Sequence, residues 1–464
     1  MPEEVRVVPL LPDEDQVGRS HEHGDERAPL GRAWERVGLD AEPAEMVARA
    51  VVPPEIFVDV LEEIVEDGRA GTKLGLHVGN NSHVSKAPRD AALVLSGGGI
   101  NGVLLELGFL KRLHETPFWN RVGWIYGTSA GAVAGAMAAL DRLDDLEAFL
   151  LSLHADDVFR PRRMWQLPLG GLRDYTLPAT IATRLGQPDV LGAELAGSEI
   201  ELVVFATDVS DHVDADGTRS YELAYSSHTD SADVMGRAIL ASAAVSALVL
   251  PIPIDDVIAT DGGWVRNFPL EHAEANPGVG ALAAFRYIAS YRPLDVSFLE
   301  RLRERLERFR AVPPVRGILA EIRLAEERAA RGEPAHYPEL IIRLMRVAIA
   351  RNTVLEERLS SDRGAATAEL HRLRDEVVES AVQAAPPWRK HALREELEGL
   401  FSEARFPFRT DRSMDRLIVR AAPGEGGLDP TYRGEWDEAT KLGLIERGYR
   451  LTDEALAERP GFLE

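Results

Sequence analysis

Ser129 sits in the stretch IYGTSAGAVAGAM, residues 125–137, with Gly127 two positions before it and Gly131 two after. That is the G-x-S-x-G spacing of a nucleophile elbow, where a sharp strand-to-helix turn leaves one hydroxyl exposed. Alone the spacing is weak: the chain holds 39 glycines, and a tight turn with a capping serine looks the same. The flanks strengthen it. Hydrophobic RVGWIYG, 121–127, leads in, and the alanine- and glycine-rich run 130–138 lets a following helix pack closely. A serine that attacks an ester also needs a proton acceptor and donors for the developing oxyanion.

LSGGGINGVLLELG offers the donors. A strand over 91–96 ends in Gly97-Gly98-Gly99-Ile100-Asn101-Gly102, and a helix begins at once. Glycines let consecutive backbone N–H groups point outward, and a helix start adds partial positive charge. Such a cradle suits an oxyanion or a phosphate. The G-x-G-x-x-G spacing also fits a dinucleotide-binding turn, but Trp119 stands where that fold needs a strand-borne acid. No Gly-Lys-Ser/Thr follows to make a P-loop. The oxyanion reading is preferred.

Asp261-Gly262-Gly263, at the end of a strand over 255–260, offers the acceptor. An Asp-Gly pair is often only a turn. Parallel strands, however, bring the loops after them to one edge of a sheet. Ser129, the glycine loop and Asp261 all follow strands, so all three can meet there.

The elements required to position them are visible as an alternation. Strands are expected over 91–96, 121–127, 200–209, 255–262 and 285–291, with helices over 102–115 and after Ser129. Buried strands alternating with helices indicate an α/β fold with a parallel or mixed sheet. The uncharged run 238–254, AILASAAVSALVLPIPI, reads as a buried helix followed by a strand. Its 17 residues are at the bottom of the spanning range, and Ser242, Ser246, Pro251 and Pro253 within it argue against a membrane span. Residues 1–50 read as an acidic, mobile arm, 51–90 as a helical lead-in (53–68) and linker, and 91–292 as the catalytic domain. Residues 293–464 read as a mainly helical extension with a short strand near 415–423.

With 464 residues, 45% hydrophobic and 28% charged, the chain is a globular protein of more than one core. The absence of cysteine excludes disulfides, thiol catalysis and Cys-zinc sites. A formal charge of −23 argues against nucleic acid as a partner. The acidic opening MPEEVRVVPLLPDED lacks the apolar core of a secretory signal, so a cytoplasmic protein is expected, and the same charge argues against generic attraction to anionic membranes except where basic residues cluster. No metal or other cofactor is expected: the histidines are scattered and no calcium loop stands out.

Taken in order, GGGING, GTSAG and DGG resemble the patatin-like phospholipases over residues 91–272. Residues 241–254, FATDV at 205–209 and GGLRDYTLPATI at 170–181 look similar too. The resemblance implies a three-layer α/β/α domain with a mostly parallel sheet. It also implies hydrolysis of lipid acyl esters by a Ser–Asp dyad without histidine. Ser129 would be the nucleophile, Asp261 the base, and the amides of Gly97, Gly98 and Gly99 the oxyanion hole. Gly102, Gly127, Gly131, Gly262 and Gly263 would support the motifs. Two positions depart from the family pattern: Asn101 replaces the usual Arg or Lys of the glycine loop, and Ser246 a usual proline.

Two alternatives stay open. His272 in FPLEHAEANPG, read as a surface residue at a helix start, or His336 would complete a Ser-Asp-His triad. Alternatively, the fold serves as a non-catalytic lipid-binding scaffold. The stretch VFRPRRMWQLPLGG, 158–171, sets Arg160, Arg162 and Arg163 beside Trp165 against an acidic background. It is either a membrane docking patch or a packed loop.

Overall fold

A computed structural model describes residues 89–161, 173–210, 221–245, 249–288, most of 300–331, 337–403, 414–422, 425–428 and 436–463. The arm, the lead-in helix and nearly all of the linker expected before residue 89 lie outside the described residues.

The centre is a mostly parallel sheet. β1 (Ala91–Leu95) pairs parallel with β2 (Val122–Thr128) on one side and with β7 (Ala281–Arg286) on the other. β7 in turn carries β8 (Asp415–Arg420), also parallel, and β2 pairs parallel with β3 (Glu201–Asp208). Alternation along β1 shows why the strand is apolar throughout. Ala91, Leu93 and Leu95 enter one core, while Ala92 and Val94 enter the other.

Helices cover both faces, giving three layers. On one face lie α1 (Gly99–His114), α2 (Ala130–Ala139), α3 (Ala232–Ser242) and α6 (Glu438–Glu458). On the other lie α4 (Leu270–Ala275) and the long α5 (Tyr337–Ala384).

Two outcomes differ from the sequence reading. The strand expected over 285–291 is β7, and it begins earlier, at Ala281. Its small residues Ala281, Ala283 and Ala284 carry little strand signal, yet they are what a strand covered on both faces can hold. Composition changes at residue 293, but the sheet does not end there. β8 forms its edge, and α6 packs on α1 so closely that a side chain on Gly108 or Gly448 would run into the opposite backbone. Buried Lys441 on α6 also donates to the carbonyls of Leu151 and Leu153, closing the end of the helix Leu143–Ser152.

β3 holds the arrangement that matters most. β4 (Glu222–Ser226) lies antiparallel along one edge, opposite Val203–Thr207. The other edge is shared. β2 occupies it as far as Phe205, which faces Thr128, and β6 (Val257–Asp261) takes it from Ala206, which faces Asp261. β6 runs antiparallel, as the second arm of a hairpin with β5 (Ile252–Ile254). The expectation that Asp261 follows a parallel strand is therefore corrected. Its strand enters from beyond the sheet's C-terminal edge and stops where β2 ends.

Candidate active site

Because β2 and β6 meet end to end on β3, the residue leaving β2 and the residue ending β6 are neighbours. Those residues are Ser129 and Asp261. Gly262, next in the chain, is packed so tightly that an added side chain would strike the Phe205 carbonyl and come within 3.0 Å of Thr128 Cγ2.

Ser129 adopts φ 54 and ψ −115, a conformation an L-residue accepts only under constraint. The constraints are visible. Its N–H donates to Ser242 Oγ at 2.7 Å, and Ser242 Oγ donates to the Phe205 carbonyl at 2.6 Å. A methyl group on Gly127 would lie 2.5 Å from the Gly131 carbonyl oxygen, and one on Gly131 2.5 Å from that of Leu95. Only glycine at both positions lets the turn close onto β1. The hydroxyl is aimed by backbone geometry: among the described residues Ser129 Oγ makes no hydrogen bond.

Asp261 is buried, and its Oδ1 accepts one hydrogen bond, from Gly263 N–H at 2.8 Å. Burial pushes its carboxyl up to about 6, the single N–H opposing only in part. The backbone around it is pinned by Thr207 Oγ1 donating to the Asp261 carbonyl and by Asp261 N–H donating to that of Ala244.

The glycine loop closes the third side. A side chain on Gly97 would come within 3.3 Å of Ser129 Cβ, so loop and serine are in contact. The three glycines are not equivalent. Gly97 N–H already donates to the Asn267 carbonyl at 3.0 Å, which removes it from the expected oxyanion donors. Among the described residues the N–H groups of Gly98 and Gly99 make no hydrogen bond. Both sit at the start of α1, where the helix dipole favours negative charge.

Asn101 is buried and faces away from this chemistry. Its amide donates to the Leu428 carbonyl at 3.1 Å and accepts from the N–H groups of Gly427 and Leu428. Where the resembling family carries a cation, this chain has a clamp for its own C-terminal segment. Tyr287 does related work: its N–H donates to Ser96 Oγ and its hydroxyl to the Glu425 carbonyl.

Asn267 has no motif to mark it in the sequence. It accepts from Gly97 through its backbone, and its side chain donates to Thr353 Oγ1 on α5 at 2.7 Å. Asn352 of α5 donates to the Trp264 carbonyl, and Glu356 accepts from Phe268 N–H. Burial raises Glu356 to about 8, Arg266 nearby opposing the rise. The loop after Asp261 is thus tied to the glycine loop and to a helix some 90 residues on.

His272 does not join the group. It is partly buried, not a surface residue, because its Nε2 pairs with Glu222 at 2.5 Å and its ring packs on Phe205. His336, Ser246, Arg162, Arg163 and Trp165 lie outside the described residues, and Arg160 is exposed on a short ribbon strand, Phe159–Pro161. Among the described residues no cluster of His, Asp or Glu could hold a metal ion, and no helix is long and apolar enough to cross a membrane.

Comparison with known proteins bears on this constellation. A Mycobacterium bovis protein described as an uncharacterized NTE family protein is 29% identical over 184 residues. An uncharacterized NTE family protein of Mycobacterium tuberculosis H37Rv matches equally. The shared stretch is 39% of this chain and 28% of either relative, so this chain matches little more than a quarter of their length. The crystal structure of VipD from Legionella pneumophila aligns over 85% of this chain and 73% of that one. Identity there is 13% and the TM-score 0.34, a likeness that carries no argument. Residues 93–274, which contain the elbow, the glycine loop and Asp261, match the family described as Patatin-like phospholipase, whose general chemistry is lipid hydrolysis. Residues 93–274 of this chain are a domain of the patatin-like phospholipase family.

Proposed function

We propose that the protein hydrolyses carboxylic esters of lipids through an acyl-enzyme on Ser129, with Asp261 as the base. The observation that carries this reading is the meeting of β2 and β6, which sets a strained serine beside a buried carboxylate.

Asp261 takes the Ser129 proton as Oγ attacks the ester carbonyl carbon. The tetrahedral oxyanion is held by the N–H groups of Gly98 and Gly99. The intermediate collapses as the ester C–O bond breaks, and Asp261 returns the proton to the departing alcohol or lysolipid. Water then gives a proton to Asp261 as it attacks the acyl carbon; the acyl–Oγ bond breaks, Asp261 returns that proton to Ser129 Oγ, and the fatty acid leaves. A carboxylate held near 6 is ionised at neutral pH yet more basic than an exposed aspartate, which suits this exchange. The scheme uses neither metal nor organic cofactor.

Labelling with a fluorophosphonate, followed by mass spectrometry, tests the assignment. One modified residue, Ser129, is expected, with loss of labelling and of fatty-acid release from phospholipid, lysophospholipid and glyceride in Ser129→Ala. Labelling that survives in a folded Ser129→Ala protein would place the nucleophile elsewhere.

A further inference from the structure

Helix α5 has two faces of opposite character. At about 100° per residue, Ile349, Asn352, Thr353, Glu356 and Ser360 fall on one side. This side meets the catalytic loop: Ile349 Cδ1 lies 3.5 Å from where a Cβ on Gly263 would stand, and Asn352, Thr353 and Glu356 make the hydrogen bonds already described. The opposite side carries Leu340, Leu344, Val347, Arg351, Val354 and Leu355, then Arg358. Leu344 is 59% and Val347 65% exposed, and Val354 and Leu355 on the same face are exposed too, so the face is an apolar stripe and not a single exposed side chain.

The charge on that outer side is also reversed. In a chain of net charge −23, no acidic residue occurs between Glu339 and Glu356. Arg351 is exposed and pairs with no acid among the described residues. Glu356 and Glu357 point away from the stripe, Glu357 meeting Arg286 and Arg420. The first acid on the outer face is Asp362, 3.7 Å from Arg358. The stripe thus runs for about 27 Å as aliphatic side chains around one cation unpaired among the described residues, Arg351, with Arg358 beside Asp362 at its end.

We propose that this face, Leu340 to Arg358, docks the protein on an anionic lipid surface. Aliphatic residues enter the boundary between headgroups and acyl chains, while Arg351 extends to the phosphates. A second copy of the chain is disfavoured, because a two-fold contact centred on the stripe would bring the two Arg351 side chains close together. Nucleic acid is disfavoured by the aliphatic majority and by the acidic remainder of the chain. The consequence for catalysis is positional. The inner side of the same helix holds the loop after Asp261, so docking sets that loop about one helix diameter, ~10 Å, from the lipid. The inference rests on the lipid-hydrolase reading but is measured without it.

The experiment is sedimentation of the full chain with vesicles of phosphatidylcholine alone or equimolar with phosphatidylglycerol. Hydrolysis of a short, soluble ester is followed in parallel. The wild type should sediment with the anionic vesicles. Leu344→Gln, Val347→Gln and Arg351→Glu combined should bind at least about tenfold more weakly, and Arg351→Lys alone should keep binding. Ester hydrolysis by both variants should stay within about twofold of the wild type, which also reports that they fold. Equal binding by the triple variant, or wild-type binding indifferent to phosphatidylglycerol, would overturn the proposal. So would a wild-type dimer that the triple variant dissolves, since a second copy would then cover the face. Vesicle binding by a wild type without esterase activity would remove the enzymatic reading and leave the docking face standing.

Discussion

Replacing Asp261 by Asn should make the protein more stable and nearly inactive at once. The carboxyl is buried with one hydrogen bond, and burial raises it from 3.8 to about 6. The folded state therefore holds this proton more tightly than the unfolded chain. Between the two values the folded protein is protonated while the unfolded chain is not, so stability falls as pH rises through that window and stays lowered above it. The interval of about 2.2 pH units corresponds to about 3 kcal/mol. Asparagine accepts the same Gly263 N–H but carries no charge. Asp261→Asn should then gain about 3 kcal/mol over the wild type at pH 8, or about 4 °C in Tm for a unit of this size. The gain should vanish near pH 4. Turnover should fall about 10²–10⁴-fold, because the proton acceptor is gone. Wild-type kcat/KM should rise with pH through about 6 as Asp261 ionises. Melting curves of both proteins at the two pH values, with hydrolysis of a soluble ester, make the check. A variant that melts at or below the wild type at pH 8, or a difference independent of pH, would refute a buried, ionising Asp261.

Ser129→Gly should stabilise the fold by about 1 kcal/mol in urea denaturation, because glycine accepts φ 54 without strain, while hydrolysis is lost. Gly98→Val should lower kcat about 10²-fold with KM little changed: a side chain there would lie 2.7 Å from Gly102 Cα and Tyr287 Cδ1, forcing the oxyanion loop to move. Asn101→Ala leaves two N–H groups and a carbonyl without partners and should cost about 2–3 kcal/mol, with faster hydrogen exchange at Gly427 and Leu428. His272→Gln should leave kcat/KM within about twofold, since the ring serves Glu222 and Phe205; inactivity of a folded His272→Gln protein would restore the triad.

The residues proposed to carry chemistry are readable in the sequence because each needs an unusual neighbour. Ser129 needs two glycines at fixed spacing, and the oxyanion loop needs a glycine run between a strand and a helix. The loop's division of labour is not readable, because Gly97 loses its N–H to Asn267, a residue brought there by tertiary contact. The C-terminal part escapes for the same reason. Asn101 and Leu428 are distant in sequence, and nothing local announces that an amide will meet a backbone so far away.

The direction of β6 is different, because the sequence does contain its signal. Ile254 faces Val257, leaving Asp255-Asp256 as a two-residue hairpin loop, and Asp255 takes φ 49. Two aspartates between apolar runs are a turn pattern, but apolar periodicity alone is blind to strand direction and favours the parallel reading of its neighbours. The distinction changes what holds the base in place. At the end of a parallel strand, Asp261 would be fixed by a following helix of its own βα unit, as Ser129 is by α2. At the end of a hairpin arm it depends on short pairing with β3 and on the loop 262–268, which Asn267, Thr353, Asn352 and Glu356 tie to the glycine loop and α5. Helix α5 is therefore part of what positions the proposed base, and disturbing its inner face should change kcat even though no residue of α5 belongs to the proposed dyad.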